Sequence, residues 1–279
     1  RTNLTSGDSY PCRPVEGRIG YIKPYRVHKF APQAARNAAW VVRDVTPRPL
    51  LSSYVLLDAT ALSPEPPTST VWGDAAAFWE ADASEDSLMG ALWSPRTSGS
   101  HSHHDVNAVH LYAYGENVLR NSGYCGAGVG VDGIFDWNWI YDTAAANSTV
   151  TVGESEHEEK FGGGIVAGFT APGFDYATAD AGPALEIATH ERSLLMMHGE
   201  PGLPGYFVLL DEVTTDLPGT LVDVNLHPDS AVVATLVPAT EFEWTVNQFG
   251  PDDAFVALFL ATPPAQAELL DGGLCAFDD

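Results

Sequence analysis

Lysine is nearly missing from this sequence. Of 279 residues only Lys23, Lys29 and Lys160 are lysines, and 13 basic residues stand against 37 acidic ones for a net charge of −24. Such a surface repels phosphate backbones and anionic headgroups, which excludes nucleic acid and anionic membranes as partners. Cysteine is scarce too: Cys12, Cys125 and Cys275 are too few for a disulfide scaffold and lack any metal-ligand spacing, leaving room for one disulfide and an odd thiol. No run of about 18 apolar residues occurs, so no membrane-spanning helix is expected. Neither an initiator methionine nor an apolar signal core precedes the body of the chain, as expected of a processed product or a piece of something longer. Asn3-Leu4-Thr5 and Asn147-Ser148-Thr149 fit the glycosylation sequon, which favours a secreted protein.

What is abundant is histidine in one place. Four of the nine histidines fall within residues 101–110. His101, His103 and Asp105 alternate, so an extended strand would aim all three at one face, where they could ligate a metal or move a proton. Residues 108–114 read as the strand that holds them, and Gly115-Glu116-Asn117 as the turn into a second strand ending at Gly123.

The flanking sequence divides in two. Residues 1–26 have no period; residues 31–45 place Ala34, Ala35, Ala38, Ala39 and Val42 at helical spacing, closed by Pro47; a Pro- and Thr-rich linker follows at 62–70. We expect residues 1–70 to be an irregular and helical segment and 71–279 a β domain. Short strands are expected at 76–81, 87–93, 149–152, 184–190, 193–198, 206–211, 220–226, 231–237, 241–246 and 254–261, with turn signals about every ten residues as in a sandwich. The segment 134–141 reads as a loop rim or edge strand, and 206–210, which does not alternate, as a central strand.

In order along the chain, His101-Ser102-His103-His104-Asp105, the run Leu111 to Glu116, Asn121-Ser122-Gly123-Tyr124 and Asn147-Ser148-Thr149-Val150 resemble the motifs of the heparinase II/III-like polysaccharide lyases, in their C-terminal β-sandwich domain. Arg192 ahead of an apolar strand, residues 206–211 and Leu226-His227 also fit, and the similarity covers about residues 71–261. The resemblance implies a mainly β chain, an antiparallel supersandwich-like β-sandwich, preceded by the end of an absent α/α toroid. It also implies a location outside the cytoplasm, extracellular or periplasmic.

Carried over position by position, the resemblance makes His101 the cleft histidine and His103 the first ligand of a structural zinc. The other two ligand positions fall on Asn121 and Asn147, where the family has Asp and His. A neutral amide replaces those ligands poorly on zinc, whereas calcium tolerates amide oxygens, and His104, Asp105 or His157 could complete a rearranged site. Elimination at a uronic acid needs its carboxylate neutralised, a base for the proton alpha to it and an acid for the leaving oxygen. His101 is the candidate base and Tyr141 the substrate-contacting tyrosine, with Tyr124 as the fallback; Trp137 and Trp139 could stack on sugar rings or pack in the core. His110, His190, His198 and His227 are expected to be structural, and Glu154, Glu156, Glu158 and Glu159 around His157 a solvated run.

Two classes of function follow from these residues. One is the sandwich half of a polysaccharide lyase that needs its upstream toroid, with polysaccharide as substrate. The other is a lyase-derived sandwich acting in glycan binding or assembly; Asn121, Asn147 and the charge of −24 favour it, since an acidic surface repels a polyanion unless salt screens it. Exposed edge strands would also permit strand-to-strand self-assembly.

Overall fold

Every second side chain of the strand Thr189–Met197 is buried: His190, Arg192, Leu194 and Met196 point inward while Thr189 and Glu191 face water. That period of two fixes which face of its sheet is the core. The computed structural model describes Gln33, Arg36 and residues 65–80, 87–99, 102–119, 143–153, 155–228, 233–237, 241–246, 254–262 and 264–267. Within them the chain is mainly β and antiparallel throughout. Of the expected helix at 31–45 only Gln33 and Arg36 are described, and both are helical.

Five strands form the first sheet in chain order: β1 (Thr70–Trp72), β2 (Ala75–Trp79), β3 (Met89–Trp93), β4 (Ala108–Ala113) and β5 (Glu116–Leu119). After β6 (Val150–Val152), the strands β7 (Gly164–Ala171), β8 (Phe174–Asp180), β9 (Thr189–Met197) and β10 (Tyr206–Thr214) make a four-stranded sheet, again in chain order. β11 (Val222–Val224) pairs with β6, and β12 (Val233–Val237), β13 (Glu241–Val246) and β14 (Ala254–Phe259) form a three-stranded meander.

The first two sheets stack with β3 against β8 and β9. Phe78 and Leu92 of one sheet and Ala177, Leu194 and Met196 of the other meet in a single apolar cluster, to which Phe207 and Leu209 add from β10. Full burial of a side chain such as Phe78 or Leu194 is worth roughly 1.5–3 kcal/mol. Small inward residues on β8, Ala177 and Ala179, let the two sheets approach.

Several expectations are corrected. The strands expected at 184–190 and 193–198 are one strand, β9, preceded by a 3-10 turn at Gly182–Ala184. Residues 206–211 do not form a central strand: β10 alternates in exposure and is an edge of its sheet. The β4–β5 turn is not Gly115 to Asn117 but Tyr114-Gly115, both at positive φ (53° and 85°), so Glu116 and Asn117 belong to the strand and are buried. The segment ahead of β4 is not itself a hydrogen-bonded strand, although His103 and Asp105 are both buried and His104 is partly exposed, as their alternation implies.

Candidate functional site

Arg192 and Asp211 lie opposite one another in the β9–β10 ladder, both on its inner face. The Arg192 side chain is fully buried, and its Nε and Nη2 donate to the two Asp211 carboxylate oxygens at 2.6 and 3.1 Å. A fork on a planar carboxylate is the arrangement that makes a buried charge tolerable. The remaining nitrogen, Nη1, donates to the backbone carbonyls of Asn107 (3.0 Å) and Ser148 (2.7 Å). One guanidinium thus pins two distant loops to β9.

His190 extends the cluster. Its Nε2 donates to Asp211 at 2.8 Å, and Asn107 Nδ2 reaches its Nδ1 and its carbonyl oxygen at 3.4 and 3.3 Å. Burial by itself would push the Asp211 carboxyl up, but the Arg192 charge and the bonds from His190 and Arg192 outweigh it and hold it well below the usual carboxylate range. Burial lowers the His190 ring and the Arg192 charge adds to this, against the pull of Asp211, so His190 is neutral and uses its Nε2 hydrogen on the carboxylate.

Around this hub the segments that carry the histidine motif and Asn147 run side by side. Thr149 Oγ1 donates to the Val106 carbonyl at 2.5 Å, and Val109 N–H donates to the Ser148 carbonyl at 3.1 Å. Asn107 turns the chain into β4 with φ of 58°, a left-handed conformation that Asn accepts more readily than most residues. Asn147 ends the 3-10 turn Ala144–Ala146, its Nδ2 donating to the Thr143 carbonyl at 2.7 Å. Glu156 Oε1 accepts from the N–H groups of Ala144 and His157 at 2.5 and 2.9 Å. His157 Nε2 donates to the Val150 carbonyl at 2.9 Å, and burial, with the nearby His104, His190 and Arg192, lowers its pKa to about 4. His227 closes the ring, its N–H on Ser148 Oγ and its Nε2 on the Ala145 carbonyl.

Of the residues singled out from sequence, the structure therefore places His103, Asp105 and Asn147 buried on neighbouring segments, with His104 and His157 close by. His101, Asn121, Tyr124, Trp137, Trp139 and Tyr141 lie outside the described residues. Arg192, Asp211 and Asn107 were not among the predicted site residues, and His190 was read as structural. The available signal was a charged residue at an inward position of each of two apolar strands, legible only once their register is known. His198, also read as structural, is held by Asp175 at 2.8 Å at the far end of β9, where Ser69 Oγ donates to the same carboxylate oxygen at 2.6 Å.

The donors among the described residues do not suit a zinc ion. Asn147 offers only an amide oxygen, with its nitrogen already spent on Thr143, and among the described residues no three His, Cys, Asp or Glu side chains gather as a metal would need. His103 with an amide does not fit a tetrahedral zinc centre, and no step below is routed through a metal.

The model of the family described as heparinase II/III-like, C-terminal, matches residues 81–257. The chain belongs to this family. Its fold agrees: a heparinase III gene product with methylated lysines superposes with a TM-score of 0.59 at 17% identity over 89% of this chain, and the heparan sulfate lyase HepC from Pedobacter heparinus with 0.57 at 16% identity over 88%. Those matches cover 34% and 36% of the two structures, so the chain spans about a third of their length. No curated protein matches the chain. In this heparinase-like C-terminal domain, the Arg192 hub braces the segment that follows the histidine motif and the segment Asn147-Ser148-Thr149. No described helix is long and apolar enough to cross a membrane.

Proposed function

We propose that this chain is the β-sandwich part of a secreted polysaccharide lyase, which cleaves a uronic-acid-containing polysaccharide by β-elimination together with an upstream α/α toroid. The observation that carries this reading is the bracing of the 103–107 segment against 147–149 by Arg192, within the span matched by the family model. The name of one similar structure, a heparan sulfate lyase, points to the same substrate class.

His101, two residues before the buried His103, is the proposed base. It takes the proton alpha to the uronate carboxylate; the electron pair forms the carbon–carbon double bond as the bond to the leaving oxygen breaks, and Tyr141, or Tyr124 in its place, returns a proton to that oxygen. Trp137 and Trp139 would stack on the sugar rings. Arg192, fully buried and fully engaged, touches no substrate and is a positioning residue.

The test is ultraviolet detection of unsaturated uronate from alginate, heparan sulfate and hyaluronan, using this chain and a longer form carrying the upstream region. The longer form is expected to release unsaturated product and to lose about 10²–10⁴-fold of that activity in His101→Ala. No unsaturated product from any polyuronate would end the enzyme reading. One observation favours a second reading, a non-catalytic sandwich acting in glycan binding or extracellular assembly: Asn147 sits where the resemblance requires a metal-binding histidine. That reading predicts retention on a polysaccharide column without cleavage.

A further inference from the structure

The outer face of the β7–β10 sheet carries no charge over three successive rows. The row Phe169–Tyr176–Leu195–Val208 runs across all four strands, and the rows on either side, starting at Ala167 and Ala171, are also uncharged. Phe169 makes an edge contact with Phe174 at 5.5 Å, and it, Val208 and Leu210 are 49%, 43% and 54% exposed. Only in the next row do acids return, as Asp180, Glu191 and Glu212. In a chain of net charge −24, an uncharged stretch of this kind repels a second copy less than an acidic one would.

The face ends at β10, whose second edge has no partner strand among the described residues. Edge strands are normally protected by shortness, bulges, prolines, lysines or an inward charge. β10 is nine residues long, keeps an unbroken register with β9 and contains neither Pro nor Lys. Its inward charge, Asp211, is consumed by Arg192.

We propose that β10 is a homodimerisation edge, pairing antiparallel with β10 of a second copy about a two-fold axis at Leu210. In that register Leu210 faces its own copy, Val208 faces Glu212, Tyr206 faces Thr214 and Asp211 faces Leu209, so no like charges oppose each other. Shifting the axis by one residue to Asp211 sets two carboxylates face to face, and shifting it the other way shortens the ladder. The two four-stranded sheets become one of eight, in which the row Ala167–Thr178–Ser193–Leu210 continues uncharged into its own copy across the seam.

Analytical ultracentrifugation of the full chain at low and high salt is expected to show a dimer that tightens with salt, as screening relieves the repulsion between acidic copies. Leu210→Lys places two cations directly opposite and should weaken association by more than about tenfold. Opposed residues in an antiparallel ladder lie about 4.5–5.5 Å apart at Cα, within disulfide reach. Leu210→Cys should therefore give an oxidation-dependent dimer in which mass spectrometry finds two copies of the β10 peptide joined by a disulfide, whereas Tyr206→Cys should not; this pair decides the matter even if the lysine variant folds poorly. A chain that stays monomeric at every concentration and salt, a dimer indifferent to Leu210→Lys, or a monomer retained through this face on a polysaccharide column would each overturn the proposal.

Discussion

Arg192 is permanently charged, and its burial is tolerated only because Asp211 and two carbonyls saturate it. Replacing it with Met leaves the Asp211 carboxylate inside without its main counter-charge. Arg192→Met is expected to lose about 3–5 kcal/mol in urea unfolding, and the double variant with Asp211→Leu to recover much of that loss. The recovery is the informative part, because simple overpacking at position 192 would not be relieved by a change at 211. In the sequence Arg192 reads only as a basic residue ahead of an apolar strand. Its partner lies 19 residues away across a hairpin, and no pattern within either strand announces the pair. His103 and Asp105 were legible because alternation alone marks one face; what buries them was not.

At the scale of elements, strands with regular alternation or strong β-branching were readable, as in β13, whose bounds match the expectation at 241–246. β7 and β8 were not anticipated. Gly162, Gly163 and Gly164 look like loop punctuation, but a Cβ at Gly164 would stand 2.4 Å from the Gly73 carbonyl, so glycine there lets β7 pass close to the β1–β2 turn. The small Ala177 and Ala179 of β8 gave no hydrophobic signal although both are completely buried. The β4–β5 hairpin yields a test. Tyr114 occupies a left-handed position that Asn or Gly prefers in a two-residue hairpin turn, so Tyr114→Asn, giving Asn-Gly, is expected to raise unfolding stability by about 0.5–1 kcal/mol.

For the whole molecule, the acidic balance and two buried rings act in the same pH range. Burial lowers the pKa of His110 to about 4, and neither ring nitrogen has a hydrogen-bond partner among the described residues; His157 falls to a similar value. An unfolded histidine protonates near 6.5, so as pH drops from there towards 4 the unfolded chain gains protons that the folded one refuses. Stability is therefore expected to be full above about pH 6.5 and to fall as pH approaches 4, by an amount on the order of 2–3 kcal/mol per ring. His110→Leu should flatten this loss in urea titrations at successive pH values without changing its direction. The fold class and family were legible because motif order survives where individual positions drift. The catalytic assignment rests on His101 and Tyr141, which lie outside the described residues.

The two carbonyls on Arg192 Nη1 belong to residues 85 and 44 positions earlier in the chain. Both long loops must close before the guanidinium finds its acceptors, and loop closure is the slow, entropic part of assembling a β topology. A chain that collapses early must bury an unsatisfied cation or reopen. The hub is therefore complete only when β4, the 147–149 segment and the β9–β10 hairpin are all in place.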